Sequence, residues 1–241
     1  MIASSEFPTC VVLAGGLGTR LRKTVSHLPK SVAPVAGQPF LLHLLNQFWQ
    51  AGSRRIVLCT GYRSDEVIQE IGRRFEDAEI LYSHEDQPLG TGGALRLAWL
   101  RYGEDKNGWL VTNGDSYCDI ALNEFWHAHR NSGLDATLAS VEVGDGSRYG
   151  SLAWDEARRV TKFGEKEEKA ATRWINAGVY AFTRQFLESL SPIVPLSLER
   201  EVFPGWIAHG IHVVAGKARF IDIGTPDSYS AAQEFFAEKT I

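Results

Sequence analysis

The sequence predicts an α/β fold: a Rossmann-like, mostly parallel sheet flanked by helices, with a small antiparallel portion toward the C-terminus. Three observations carry that expectation. Apolar β-branched runs alternate with stretches of helical periodicity through the first half of the chain. The first such run opens into a glycine-rich turn, Gly15-Gly16-Leu17-Gly18, where α/β sheets carry their ligand loops. In the second half the strand-like segments shorten and fall in pairs about tight turns.

Taken in order, Thr9–Ala14 reads as a buried strand. Phe40–Gln50 carries Leu41, Leu44, Leu45 and Phe48 on one helical stripe and stops at Gly52. Arg55–Cys59 is the next strand, and Ser64 is placed to cap a helix running to about Phe75. A short strand at Ile80–Ser83 leads to a helix at Thr91–Arg101, for which Thr91 can serve as cap. Trp109–Thr112 is a strand ending at Asn113-Gly114-Asp115, Leu122–Ser132 a helix and Ala136–Val143 a strand. This order implies parallel strands covered on both faces. Ser151–Trp154 and Arg158–Phe163 read as antiparallel strands around Asp155-Glu156-Ala157, and Ala177–Phe182 as another strand. Leu198–His209 is a helix, Ile211–Ala215 and Arg219–Ile223 a second strand pair, and Pro226 to about Glu238 a closing helix. With no repeat or linker, residues 1–241 read as one domain, with an α/β half near 9–145 and a second half near 146–235.

Composition narrows the class. At 241 residues, 44% hydrophobic and 22% charged, the chain can bury a sizeable core and is neither disordered nor membrane-like. A net charge of −4 disfavours a general nucleic-acid surface, and the scattered tryptophans make no stacking platform. Cys10, Cys59 and Cys118 are far apart in or beside apolar runs, as expected of buried reduced thiols in a cytoplasmic protein. No apolar stretch is long enough for a membrane span, and no signal pattern opens the chain. His127 and His129 stand two apart on a helix and do not share a face, so they make a poor metal pair.

The chemistry concentrates in a few segments. In Leu13-Ala14-Gly15-Gly16-Leu17-Gly18-Thr19-Arg20-Leu21-Arg22 the glycines let backbone N–H groups approach phosphate, and Arg20, Arg22 and the later Lys30 supply countercharge. Leu21 stands where a dinucleotide fingerprint needs its third glycine, and Pro29 where a P-loop needs glycine before Lys-Ser. Asp115, after Gly114, follows a strand's carboxyl end; it either holds Mg²⁺ or caps the next turn. Asp222 ends another short apolar strand, as a second metal carboxylate or as the flank of the helix begun by Pro226. Gly90-Thr91-Gly92-Gly93 either faces a base or ribose or serves helix packing. Ser197-Leu198-Glu199 is explained by a helix start with an acidic first turn.

Together these segments, in this order, resemble the sugar-1-phosphate nucleotidyltransferase family across residues 9–235. Within it the chain is most similar to the D-glycero-α-D-manno-heptose 1-phosphate guanylyltransferases, on Arg20-Leu21-Arg22, Pro88–Gly93, Arg148-Tyr149-Gly150 and Ile221–Gly224. The resemblance implies a reaction: a nucleoside triphosphate and a sugar 1-phosphate give a nucleotide sugar and pyrophosphate. It places Leu13, Ala14, Gly15, Gly16, Gly18, Thr19, Gly90, Thr91, Gly92 and Gly114 on the nucleotide, with Glu85 against a guanine edge. Tyr149, Gly150, Glu165, Lys166 and Asn176 would hold the sugar phosphate. Arg20 would stabilise pyrophosphate, Lys30 would sit at the α-phosphate, and Mg²⁺ would bind Asp115 and Asp222. Ser31 departs from the non-polar residue many relatives carry after the lysine. GTP with a heptose 1-phosphate is the pair implied; mannose, glucose or N-acetylmuramate 1-phosphate with GTP, UTP or dTTP stays open. So does a non-catalytic module that binds sugar nucleotides, although such a module is expected to lose Lys30 or a carboxylate. A homo-oligomer is compatible with the sequence.

Overall fold

The computed structural model describes residues 7–16, 18–21, 25, 28–104, 106–164 and 173–238. In chain order its strands are β1 (Thr9–Leu13), β2 (Pro34–Val35), β3 (Gln38–Pro39), β4 (Arg55–Thr60), β5 (Arg74–Phe75), β6 (Ala78–His84), β7 (Trp109–Asn113), β8 (Ser116–Cys118), β9 (Ala136–Glu142), β10 (Ser151–Trp154), β11 (Val160–Gly164), β12 (Trp174–Phe182), β13 (His212–Gly216) and β14 (Phe220–Asp222). The helices are α1 (Phe40–Ala51), α2 (Ser64–Ile71), α3 (Gly90–Tyr102), α4 (Leu122–Ser132), α5 (Arg184–Ser189), α6 (Phe203–Trp206) and α7 (Pro226–Ala237).

Among the described residues the main sheet has ten strands, running β11-β10-β12-β7-β1-β4-β6-β5, with β9 also on β12 and β13 on β9. The pairs β7–β1, β1–β4 and β4–β6 are parallel. Their side chains alternate between two apolar layers: Cys10, Val12, Ile56 and Leu58 enter one, Val11, Val57 and Cys59 the other. That double burial is why these strands read as continuous apolar runs. Phe40, Leu41, Leu44, Leu45 and Phe48 of α1 close the first layer, and Ala94, Leu95, Ala98 and Trp99 of α3 the second. The cysteines are buried free thiols, and burial pushes Cys10 and Cys118 up to about 12. No helix among the described residues is long and apolar enough to cross a membrane.

The predicted α/β architecture stands, with five local corrections. The helix begun near Ser64 ends at Ile71, because Gly72 terminates it and Arg74–Phe75 pairs antiparallel with β6. Arg63, not Ser64, is its cap residue, and the Ser64 hydroxyl meets that of Thr60 at 2.8 Å. Thr91 does not cap α3 either: its hydroxyl donates to Glu199 Oε2 and accepts from Leu198 N, both at 2.8 Å. The segment from Leu198 to His209 is not one α-helix but a π turn, the short α6 and a 3₁₀ turn. Finally, β13 and β14 do not pair with each other. β13 lies parallel to β9, while β14 lies antiparallel to β8, a strand the sequence reading missed. The last correction matters most, because the β8–β14 ladder ties the two halves together at the cleft.

Candidate active site

The carboxyl ends of β1, β4, β6 and β7 lie side by side, the edge where open α/β sheets bind ligands. From this edge the residues predicted to carry chemistry divide into two groups. One lines a cleft of about 890 Å³: Gly18, Thr19, Arg20, Lys30, Asp115, Tyr149, Gly150, Asn176 and Asp222. The second group is Leu13, Ala14, Gly15, Gly16, Glu85, Gly90, Thr91, Gly92 and Gly114, none of which lines that cleft. Glu165 and Lys166 lie outside the described residues. A second hollow of about 590 Å³, lined by Glu142, Arg173, Lys217 and Arg219 among others, holds none of the predicted residues.

The ladder between β8 and β14 sets Asp222 opposite Ser116, and Ile223 N donates to Asp115 O at 2.9 Å. Two carboxylates more than a hundred positions apart in the chain therefore stand at one wall. Lys30, at the start of a 3₁₀ turn, reaches across to place Nζ 2.7 Å from Asp115 Oδ2. Gly18 is what allows this approach. Its φ is +59° and a side-chain carbon there would stand 2.9 Å from Lys30 Cβ, so the loop backs directly onto the lysine.

Asp222 is nearly buried yet fully engaged. Its Oδ1 accepts from Gly224 N at 2.6 Å and from the Ser228 hydroxyl at 3.0 Å. Its Oδ2 accepts from Arg148 Nη2 at 3.0 Å and from the Tyr149 hydroxyl. Burial alone would raise this carboxyl. The bonds from Tyr149 and Gly224, the Arg148 charge and the Ser228 bond outweigh it and hold the group below the usual carboxylate range. Thr225 and Ser228 also form a capping box at the start of α7, so the helix start and the carboxylate share a hydroxyl.

Strand β12 and the Leu198–Val202 turn bring further polar groups to the cleft. Strand β12 shifts register between Asn176 and Tyr180, and Gly178 sits in the shift at φ +70°. A side chain on Gly178 would come within 2.8 Å of Ser116 Oγ and 2.9 Å of Asn113 Nδ2. Asn176 Nδ2 donates to the Tyr180 hydroxyl at 2.8 Å, and that hydroxyl donates to Glu199 Oε1 at 3.2 Å. Thr91 and Ser197 both donate to Glu199 Oε2, at 2.8 and 3.1 Å. Glu199 lines the cleft with Arg200; the sequence reading gave Glu199 to an acidic helix turn and passed over Arg200. Arg148 was noticed only as part of a resemblance.

In the second group, Glu85 stands after β6 against the glycine loop. A side-chain carbon on Gly15 would lie 2.7 Å from Glu85 Oε1, and one on Gly61 3.0 Å from it. Burial raises the Glu85 carboxyl, and the bond from Leu89 N partly offsets that rise. Gly90 and Gly92 pack on the Leu196 backbone: Gly92 N donates to Leu196 O at 2.8 Å, and a side chain on Gly90 would reach within 2.4 Å of that oxygen.

This arrangement has counterparts. A family model described as nucleotidyl transferase matches residues 9–239. The chain is 37% identical over 223 residues to a mannose-1-phosphate guanylyltransferase of Mycobacterium tuberculosis, across 91% of this chain and 62% of that protein. It is 33% identical over 225 residues to the D-glycero-alpha-D-manno-heptose 1-phosphate guanylyltransferase of Aneurinibacillus thermoaerophilus, across 93% of this chain and 96% of that one. The chain spans only 60 to 62% of the length of three mannose-1-phosphate guanylyltransferases it matches. The crystal structure of HddC from Yersinia pseudotuberculosis complexed with GMP-PN superposes with a TM-score of 0.83 at 34% identity, covering 95% of this chain and all of that one.

Proposed function

The chain belongs to the nucleotidyl transferase family, and from that premise we propose that it joins a nucleoside triphosphate to a sugar 1-phosphate and releases pyrophosphate. GTP and D-glycero-α-D-manno-heptose 1-phosphate are the proposed pair. The observation that carries the chemistry is the meeting of Lys30, Asp115, Arg148 and Asp222 in one cleft that Asn176 and Glu199 also line. The heptose reading draws on a relative that matches nearly end to end. Mannose 1-phosphate is the second reading, favoured by the higher identity to a mannose-1-phosphate enzyme of which the chain covers less than two thirds.

The attacking oxygen belongs to a phosphate that is already anionic near neutrality, so no side chain has to take a proton. That oxygen bonds to the α-phosphorus while the bond from the α-phosphorus to the β-bridging oxygen breaks, and pyrophosphate leaves with the electron pair. Catalysis then rests on bringing two polyanions together in line and neutralising them. Lys30 is suited to the α-phosphate and Arg20 to the departing pyrophosphate. Lys166, beyond the described residues, is proposed for the incoming phosphate and Glu165 for a sugar hydroxyl. Glu85 would accept from the N1–H and N2–H₂ donors of guanine. Asp115 and Asp222 form a hard oxygen donor pair of the kind that holds Mg²⁺ together with water and phosphate oxygens, and the ion would offset phosphate charge.

A matrix of GTP, UTP, dTTP and CTP against heptose, mannose, glucose and N-acetylmuramate 1-phosphates, scored by pyrophosphate release with Mg²⁺, tests this reading. GTP with the manno-heptose phosphate should give the highest kcat/KM. Preference for another nucleotide would defeat the guanine assignment, and turnover of mannose 1-phosphate with none of the heptose would select the second reading. Binding without turnover anywhere in the matrix would point to a regulatory module.

A further inference from the structure

Both carboxylates proposed for the metal are already occupied by the chain's own cations. Lys30 Nζ holds Asp115 Oδ2 at 2.7 Å. Arg148 Nη2 holds Asp222 at 3.0 Å through Oδ2 and 3.3 Å through Oδ1. The two pairs converge: a side-chain carbon on Gly224 would stand 2.7 Å from Asp222 Oδ1 and 3.6 Å from Lys30 Nζ. Two negative and two positive groups thus balance at one wall of the cleft. A divalent cation entering this cluster meets carboxylates whose attraction is spent on their partners, and meets two like charges at close range.

We propose that Lys30 and Arg148 are built-in counter-ions of Asp115 and Asp222, which must release those carboxylates before a divalent cation can bind and which then turn to phosphate. Arg148 is thereby assigned a phosphate-binding role that its sequence position did not disclose. Its side chain is 44% exposed, with its guanidinium 5.5 Å from the centre of the Tyr149 ring, and its planar fork suits phosphate as well as carboxylate. Lys30 is only 14% exposed but already lines the cleft beside Asp115. The exchange makes cation binding and phosphate binding mutually dependent, because the charge freed on the arginine and lysine is compensated only when phosphate arrives. The nucleotide-free chain should therefore bind divalent cations poorly. The inference rests on the proposed metal carboxylates, but not on which base or sugar is used.

The test is Mn²⁺ binding to the intact chain without nucleotide, read from the loss of the free-ion EPR signal. Lys30→Met and Arg148→Met should each tighten Mn²⁺ binding by roughly tenfold. Arg148→Lys and Lys30→Arg, which keep the charge, should stay close to the unaltered chain and guard against misfolding of the methionine variants. Arg20→Met supplies the through-space control. Arg20 lines the same cleft but contacts neither carboxylate, so its neutralisation should change Mn²⁺ affinity far less. Adding a non-hydrolysable GTP analogue should raise Mn²⁺ affinity more in the unaltered chain than in Arg148→Met. Equal tightening by all three neutral variants, or none by Lys30→Met and Arg148→Met, would overturn the counter-ion proposal alone. Mn²⁺ binding that survives Asp222→Asn in the Arg148→Met background would overturn it together with the metal assignment beneath it.

Discussion

Glu85 shows how one residue can be set against the stability of its own fold. Its carboxylate is lodged where only glycine at 15 and 61 leaves room, and burial raises its pKa. A carboxyl whose pKa is raised on folding favours the folded chain at pH values below its unfolded pKa. That contribution is lost as pH rises through the folded pKa, so ionised Glu85 costs stability at neutral pH. Glu85→Gln should accordingly raise Tm at pH 7, with the difference closing as pH falls below the ordinary glutamate range. On the proposed contact of Glu85 with guanine, the same variant should also weaken GTP use. A lower Tm at pH 7 with unchanged GTP kinetics would remove Glu85 from the base site. Lys30, Asp115 and Asp222 were legible in the sequence because each follows a local signal: a glycine loop, a strand end, a strand end before proline. Glu199 was not, since its hydroxyl donor Thr91 lies 108 residues away and its other donor, Tyr180, stands on strand β12.

At the scale of elements, several strands and helices were read to within a residue or two. Examples are Leu122–Ser132 and Ser151–Trp154, whose bounds the structure shares. Longer elements were misjudged at one end, α2 by about four residues and β12 by three, and the strand missed at the cleft is a short one with no face of its own. β8 has three residues, all buried, and its partner β14 lies a hundred positions away, so nothing local marks it. Thr91 looks like a helix cap in sequence, and tertiary contact with Leu198 and Glu199 takes its hydroxyl instead. One helix makes a stability prediction. His129 of α4 is 2% exposed and bonded to Thr137 Oγ1 at 2.8 Å. Burial, then the charges of Arg130 and His212, lower its pKa to about 4. Between the ordinary histidine value and about 4, the unfolded chain binds the proton and the folded chain does not, so stability falls with pH across that window. The loss attributable to His129 should approach about 3 kcal/mol by pH 4. Urea unfolding at pH 7 and 4.5 should show His129→Gln losing less stability on acidification than the unaltered chain. Equal losses would mean that His129 titrates normally in the fold.

At the scale of the whole molecule, the chain brings two carboxylates that are far apart in sequence to one cleft. The sequence reading expected the two aspartates to share an ion but paired β14 with the wrong strand, because adjacency in sequence is the default when register is weakly marked. The observed pairing of β14 with β8 sets Asp222 opposite Ser116, next to Asp115, so a strand late in the chain completes the wall that an early one begins. If both aspartates serve one ion, neither works without the other. The most direct test is pyrophosphate release by Asp115→Asn, Asp222→Asn and the double variant at saturating GTP, sugar 1-phosphate and Mg²⁺. Each single change should lower kcat by roughly 10²-fold or more, with the double variant adding little to either. Losses that multiply, or an Asp222→Asn enzyme with unchanged kcat and Mg²⁺ dependence, would contradict a shared site.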